Sequence, residues 1–139
     1  MLPCHEDDKF MRILPNVTVL LIAVVMAACS TVRIMNVDQA AVTNASGKSL
    51  SAEQVRGAII RAGTALGWQM KDDGPGKLTG MLYLRDHTAV VDIPYSTSSY
   101  SIIFKSSVNL KQSGDQIHRN YNSWIQNLNR DIGVQVSAS

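Results

Sequence analysis

Two periodicities divide most of this chain into elements. Leu50 and Val55 occupy the two positions of a hydrophobic staple around Ser51, a good helix N-cap. Gln54, three residues on, completes a capping box. Val55, Ile59, Ala62 and Leu66 follow at helical spacing, with Ile60 beside them. Glu53 suits the positive end of the helix dipole, and Gly67 is a natural C′ stop. The spacing predicts a first helix from Ser51 to Gly67.

The period then drops to two. Trp68-Gln-Met70-Lys reads as a strand closed by Asp72-Asp-Gly-Pro-Gly76. Leu78, Gly80, Leu82 and Leu84 alternate with Thr79, Met81, Tyr83 and Arg85, and Arg85-Asp-His-Thr88 reads as a hairpin turn. Ala89, Val91, Ile93 and Tyr95 alternate with Val90, Asp92 and Pro94. Pro94 cannot donate to a ladder, so it belongs at an edge or a strand end. After a polar turn at Ser96–Ser99, Tyr100, Ile102 and Phe104 form the next apolar face. Loops this short predict an antiparallel meander.

A helical stripe returns with Ile117, Tyr121, Trp124, Leu128 and Ile132, and Ile125 alongside. It predicts a last helix from about Asp115 to Asp131, stopped by Gly133. One apolar sheet face and two apolar helix stripes give a two-layer α+β domain. Its expected form is an antiparallel sheet of three to five strands with both helices on one face, in the order (β)-α-β-β-β-β-α. Val32–Val37 is a candidate short strand, and Gln39–Ser49 reads as a loose loop or tether.

The apolar run nearest the start is different. Val17 to Ala28 spans 12 residues. A membrane span needs about 20, whereas a signal-peptide core is this short. Met26-Ala27-Ala28-Cys29 resembles the lipobox of bacterial lipoproteins. That resemblance implies thioether lipidation of Cys29, cleavage after Ala28 and acylation of the new amino terminus. Two or three acyl chains anchor almost permanently, at roughly 0.8 kcal/mol per buried methylene. The alternatives are a buried Cys in a core helix and an ordinary cleaved secretory signal. Glu6, Asp7 and Asp8 are unusual ahead of a signal core, and Met11-Arg-Ile-Leu is a more ordinary opening. The expected organisation is a signal over 1–28, lipidated Cys29 and tether over 29–50, one domain over 51–133 and a tail over 134–139. A flexible tether of that length spans on the order of 25 Å.

Composition narrows the setting. Eleven basic and eight acidic side chains follow Cys29, without a basic run, so nucleic acid is not an expected partner. No cysteine follows Cys29, so the domain must fold without an internal disulfide. Asn44-Ala-Ser matches the N-glycosylation pattern, which is common by chance.

Several segments together resemble a known group. They are Gly67-Trp68, Leu84-Arg-Asp-His-Thr-Ala-Val-Val-Asp-Ile-Pro-Tyr95, Tyr100-Ser-Ile-Ile-Phe-Lys-Ser-Ser-Val-Asn-Leu110 and Ile117-His-Arg-Asn-Tyr-Asn-Ser-Trp-Ile-Gln-Asn-Leu128. The pattern is similar to small lipoproteins of Gram-negative bacteria that carry no assigned activity. It covers about Ser51 to Ile132. It implies an α+β domain in the periplasm, and Ser30 after Cys29 implies the outer membrane. Phe104 departs from the group, where Tyr is common.

No catalytic motif accompanies these features. His87 and His118, without Cys or paired carboxylates nearby, make a poor metal site. Ser106, His118 and Asp92 form a triad only on paper, since no Gly-x-Ser-x-Gly elbow is present. Asp73-Gly-Pro-Gly76 is a turn rather than a phosphate cradle. No cofactor is expected. The main constellation is polar and aromatic: Arg85, His87, Tyr95, Tyr100, Asn109, His118, Tyr121, Asn122 and Trp124, with Asn127. These residues would line a groove between the last helix and the sheet. The plainer reading makes Tyr121 and Trp124 core residues, Asn109 and Asn122 loop ties, and His118 a local cap. The expectation is a non-enzymatic outer-membrane lipoprotein, held in the membrane by lipid on Cys29 and serving an envelope protein partner. The alternative is a small-ligand, glycan or peptidoglycan binder.

Overall fold

The computed structural model describes residues 30–139, so the segment 1–28 expected to be a signal, and Cys29, lie outside the described residues. The first helix, α1 (Ala52–Ala65), forms as its sequence dictates. Ser51 Oγ accepts from Gln54 N at 3.1 Å, and Gln54 Oε1 accepts from Ser51 N at 2.9 Å. Leu50 and Val55 are both buried, so the staple is closed. At the other end Gly67 adopts φ +88°, with Gly67 N bonded to Thr64 O and Trp68 N to Gly63 O. That is a complete Schellman stop, and a side chain at Gly67 would oppose the left-handed turn.

Five strands form one antiparallel sheet in the order β2-β6-β5-β4-β3. They are β2 (Val37–Ala41), β3 (Gln69–Asp72), β4 (Lys77–Leu84), β5 (His87–Pro94) and β6 (Ser99–Val108). Pro94 is the last residue of β5, where its missing N–H costs no ladder bond. Leu78, Leu82, Ala89, Val91, Ile93, Tyr100 and Ile102 are buried on one sheet face. Both helices cover that face. Phe104 on β6 meets Tyr121 of α2 (Arg119–Ser137) edge-on, ring centroids 5.4 Å apart. Arg56 of α1 reaches across to Asp72 of β3. The expected α+β two-layer architecture is thus the observed one.

One residue resets the alternation within β6. Val91 pairs with Phe104, but the neighbouring Val90 pairs with Ser106, leaving Lys105 as a β-bulge. Without it, residues 106 and 108 would continue the core face begun by Tyr100, Ile102 and Phe104. With it, Ser107 turns inward opposite buried Ala89, and Val108 turns out to 57% exposure.

The N-terminal stretch departs from expectation. Residues 29–50 were expected to be lipidated Cys and tether, yet β2 joins the sheet edge and β1 (Thr31–Arg33) pairs antiparallel with β7 (Gln116–His118). The loop between β1 and β2 is also fixed: Asn122 Oδ1 accepts from Met35 N at 3.0 Å, and its Nδ2 donates to Arg33 O at 2.9 Å. Asn36 Oδ1 accepts from Phe104 N at 2.9 Å. These polar residues satisfy backbone groups that a free tether would leave to water. Asn44 is buried as well, its Nδ2 donating to the carbonyls of Val136 and Ser139. The glycosylation pattern there is therefore occupied by folding contacts.

The last helix is shifted. Asp115–His118 was expected to begin it, but Gln116–His118 is strand β7 and α2 starts at Arg119. The helix also runs through Gly133 into the segment 134–139 that was expected to be a tail. Val136 is 1% exposed and sits four residues past buried Ile132, so core burial carries the helix across the glycine.

Candidate functional site

The polar residues singled out in the sequence divide among three places. The first is one end of the sheet. Leu84 pairs with His87, leaving Arg85-Asp86 as a two-residue hairpin turn in which Arg85 adopts φ +57°. His87 Nδ1 lies 2.7 Å from Asn109 O. A carbonyl can only accept, so Nδ1 carries the proton and donates. His87 Nε2 faces Asp86 Oδ1 at 3.5 Å, an ion pair only when the ring is protonated. Asn109 Nδ2 donates to Asp86 O at 3.1 Å and to Asp86 Oδ2 at 3.3 Å.

Asn109 at φ +58° and Lys111 at φ +52° share the left-handed region with Arg85. For a non-glycine residue that conformation costs roughly 1 kcal/mol, least for Asn. Asn109 and Lys111 line an open depression of about 510 Å³ together with Asp86, His87, Ser107, Leu110 and Gln112, and Arg85 precedes Asp86 in the turn beside it. Its chemistry is that of hydrogen-bond donors and acceptors around one imidazole. Asp86, Ser107 and Lys111 were missed in the sequence. The signal for Asp86 was its place in the hairpin turn, while Ser107 enters only because of the bulge.

The second place is the start of α2. His118 N bonds Leu110 O at 2.7 Å, and His118 Nδ1 accepts from Asn120 N at 3.3 Å, so His118 is the N-cap. Tyr121 is fully buried, and burial pushes its phenol well above the usual range. Its hydroxyl has no hydrogen-bond partner among the described residues. Trp124 is half-buried against the core, and Asn122 ties the β1–β2 loop as described above.

The third place is the far end of the sheet. Tyr95 and Tyr100 form an isolated bridge there, and Tyr95 lines a depression of about 250 Å³ with Gln39, Pro94, Ser96 and Ser99. Tyr100 is buried, and its hydroxyl donates to Asn129 Oδ1 at 2.7 Å. Burial raises its phenol too. Arg85, His87 and Asn109 are thus brought together, whereas Tyr95 and Tyr100 are at the opposite end. None of the described depressions joins either set to His118.

The paper triad does not assemble. Asp92 is on the sheet's outer face, held by Lys77 Nζ at 3.7 Å and Lys105 Nζ at 3.4 Å, while His118 caps α2. Among the described residues no group of three His, Cys, Asp or Glu side chains could hold a metal ion. No helix among them is long and apolar enough to cross a membrane. No protein family matches the chain, and no curated protein or solved structure is a significant match.

Proposed function

We propose that the chain is a lipid-anchored lipoprotein of the outer membrane, facing the periplasm, whose domain is a non-catalytic binding or accessory module of the cell envelope. The observation that carries this reading is the lipobox-like Met26-Ala27-Ala28-Cys29, followed after one residue by the first strand. Cys29 in this reading is an attachment point and the fold begins beside it. The polar end of the sheet supports a binding role, because it gathers hydrogen-bonding groups around His87. The test is envelope fractionation with intact-mass measurement. The expected result is an acylated chain beginning at Cys29 in the outer-membrane fraction, and release of Cys29→Ala to the soluble or precursor pool. An unacylated, freely soluble wild-type chain defeats the reading. Crosslinking in intact cells, with photoreactive groups placed in turn over the domain surface, should then recover an envelope protein.

The depression of about 510 Å³ supports a second reading, a glycan or small polar ligand held by Asp86, His87 and Asn109. Amide shifts at His87 and Asn109 on titration with soluble peptidoglycan fragments would support it. Shifts spread evenly over the domain, or none, would end it.

A further inference from the structure

Resting on the lipid-anchored reading, we infer that the end of the domain carrying the β4–β5 turn and the β6–β7 loop is apposed to the bilayer, its headgroup layer being the partner of that surface. The argument begins with reach. Ser30, the residue after Cys29, is already within the fold: its carbonyl accepts from Arg119 N at 3.2 Å, and Thr31 pairs with His118. An acyl chain on Cys29 therefore enters the membrane one residue from the domain surface, not at the end of a long tether.

The end of the domain that this brings to the membrane follows from the register. β2 runs antiparallel to β6, from Val37 opposite Ile102 to Ala41 opposite Ser99. The chain upstream of Val37 therefore lies toward the Val108 end of β6, as the bond from Phe104 N to Asn36 confirms. A run of hydrogen bonds then links Ser30 to Arg119, His118 to Leu110, and Asn109 to His87. The Arg85-Asp86 turn is the next residue pair along.

The composition of this end fits a lipid headgroup layer. Tyr83 is 55% exposed, Leu84 45% and Val108 57%, three of the four large apolar side chains most exposed in the described domain. Tyr83 and Val108 flank Thr88 on one rung of the sheet, so they form a single patch. Beside it Arg85, Lys111 and Arg119 are exposed and make no ion pair among the described residues, whereas Arg33 is taken by Asp115 at 3.4 Å. Asp86 is the remaining acid here and is engaged by Asn109. Aromatic and aliphatic side chains interleaved with unpaired cations are the signature of the interfacial zone of an anionic membrane.

The test uses the full lipidated chain in vesicles of phosphatidylethanolamine and phosphatidylglycerol. With the Cys29 thiol consumed by lipid, Val108→Cys and Thr97→Cys each carry one polarity-sensitive label, at opposite ends of the sheet. The expected result is quenching by an aqueous ion that is roughly threefold or more slower at residue 108 than at 97, with a blue shift at 108 alone. Combining Arg85→Glu with Lys111→Glu should bring the two rates together while leaving the protein vesicle-bound. Equal rates at both labels on bound, acylated protein overturn the apposition, and insensitivity to the charge reversals overturns the role of the cations. A label at 108 open on vesicles but shielded in intact cells assigns the patch to a protein and overturns the lipid proposal. Absence of acyl mass and of vesicle binding instead defeats the anchoring reading, and this inference with it.

Discussion

Asn122→Ala tests whether the segment before α1 is part of the fold. The side chain makes two bonds to the β1–β2 loop, at 3.0 Å to Met35 N and 2.9 Å to Arg33 O. Each is worth about 1 kcal/mol net, so their joint loss costs about 2 kcal/mol. For a domain of this size that is a fall of about 8 °C in Tm. With an m value of roughly 1.5 kcal/mol/M, the urea midpoint should drop by about 1.3 M at unchanged m. The assay is urea unfolding of the chain from residue 29 carrying Cys29→Ser, followed by tryptophan fluorescence. Hydrogen exchange supplies the local reading. The amide of Ile34, which donates to Asp115 O at 2.7 Å, should lose protection by about thirtyfold. A midpoint shift below about 0.3 M together with unchanged protection at Ile34 would refute the reasoning, since the loop would then not depend on Asn122.

Two tyrosines should respond oppositely to loss of the hydroxyl. Tyr100→Phe removes a 2.7 Å bond to Asn129 and should cost about 1 kcal/mol, whereas Tyr121→Phe removes a buried, unpartnered group and should be neutral or stabilising by up to about 1 kcal/mol. Thermal unfolding separates them, and equal losses would contradict the assignment. Ser51→Ala removes the hydroxyl that accepts from Gln54 N, leaving the bond from Ser51 N to Gln54 Oε1, and should lower stability by about 1 kcal/mol in thermal unfolding; an unchanged Tm would contradict the cap. Arg56 donates to both oxygens of Asp72 and holds that carboxyl below its usual value. A depressed carboxylate stabilises the fold above its unfolded value, near pH ~3.9, and that contribution vanishes as pH falls through the folded value. Arg56→Gln should therefore flatten the acid side of the Tm–pH curve below about pH 4, and an unaltered acid slope would count against the pairing.

Local chemistry was the legible part of this chain. α1 could be read because its start and stop are written in neighbouring residues, Ser51 with Gln54 and Leu66 with Gly67. The meander could be read because its strands alternate and pair with their sequence neighbours. What escaped depends on distant partners. β1 and β7 pair across more than eighty residues, and neither has enough residues to show a period. The same pairing took Gln116–His118 away from the helix that their spacing suggested. The exposure of Val108 hinges on the single extra residue Lys105, which no alternation rule announces. Of the candidate site, the cluster at Arg85, His87 and Asn109 was present in the residues chosen. Its separation from Tyr95 and Tyr100 is a matter of strand length: about eight residues of β5 put roughly 25 Å between the two ends.

The way β1 and β2 are held has a mechanical consequence. β1 contributes three paired residues, and β2 is a short, bulged edge strand. Elements with so few ladder bonds open at a fraction of the free energy needed to unfold the domain. If they detach while the remaining strands stay folded, residues 30–41 become free chain. Fully extended, that chain reaches about 40 Å. A load applied at residue 30 would thus meet a concealed leash, stowed as sheet at rest and released under tension. The span from that point to the rest of the domain would then switch between two lengths.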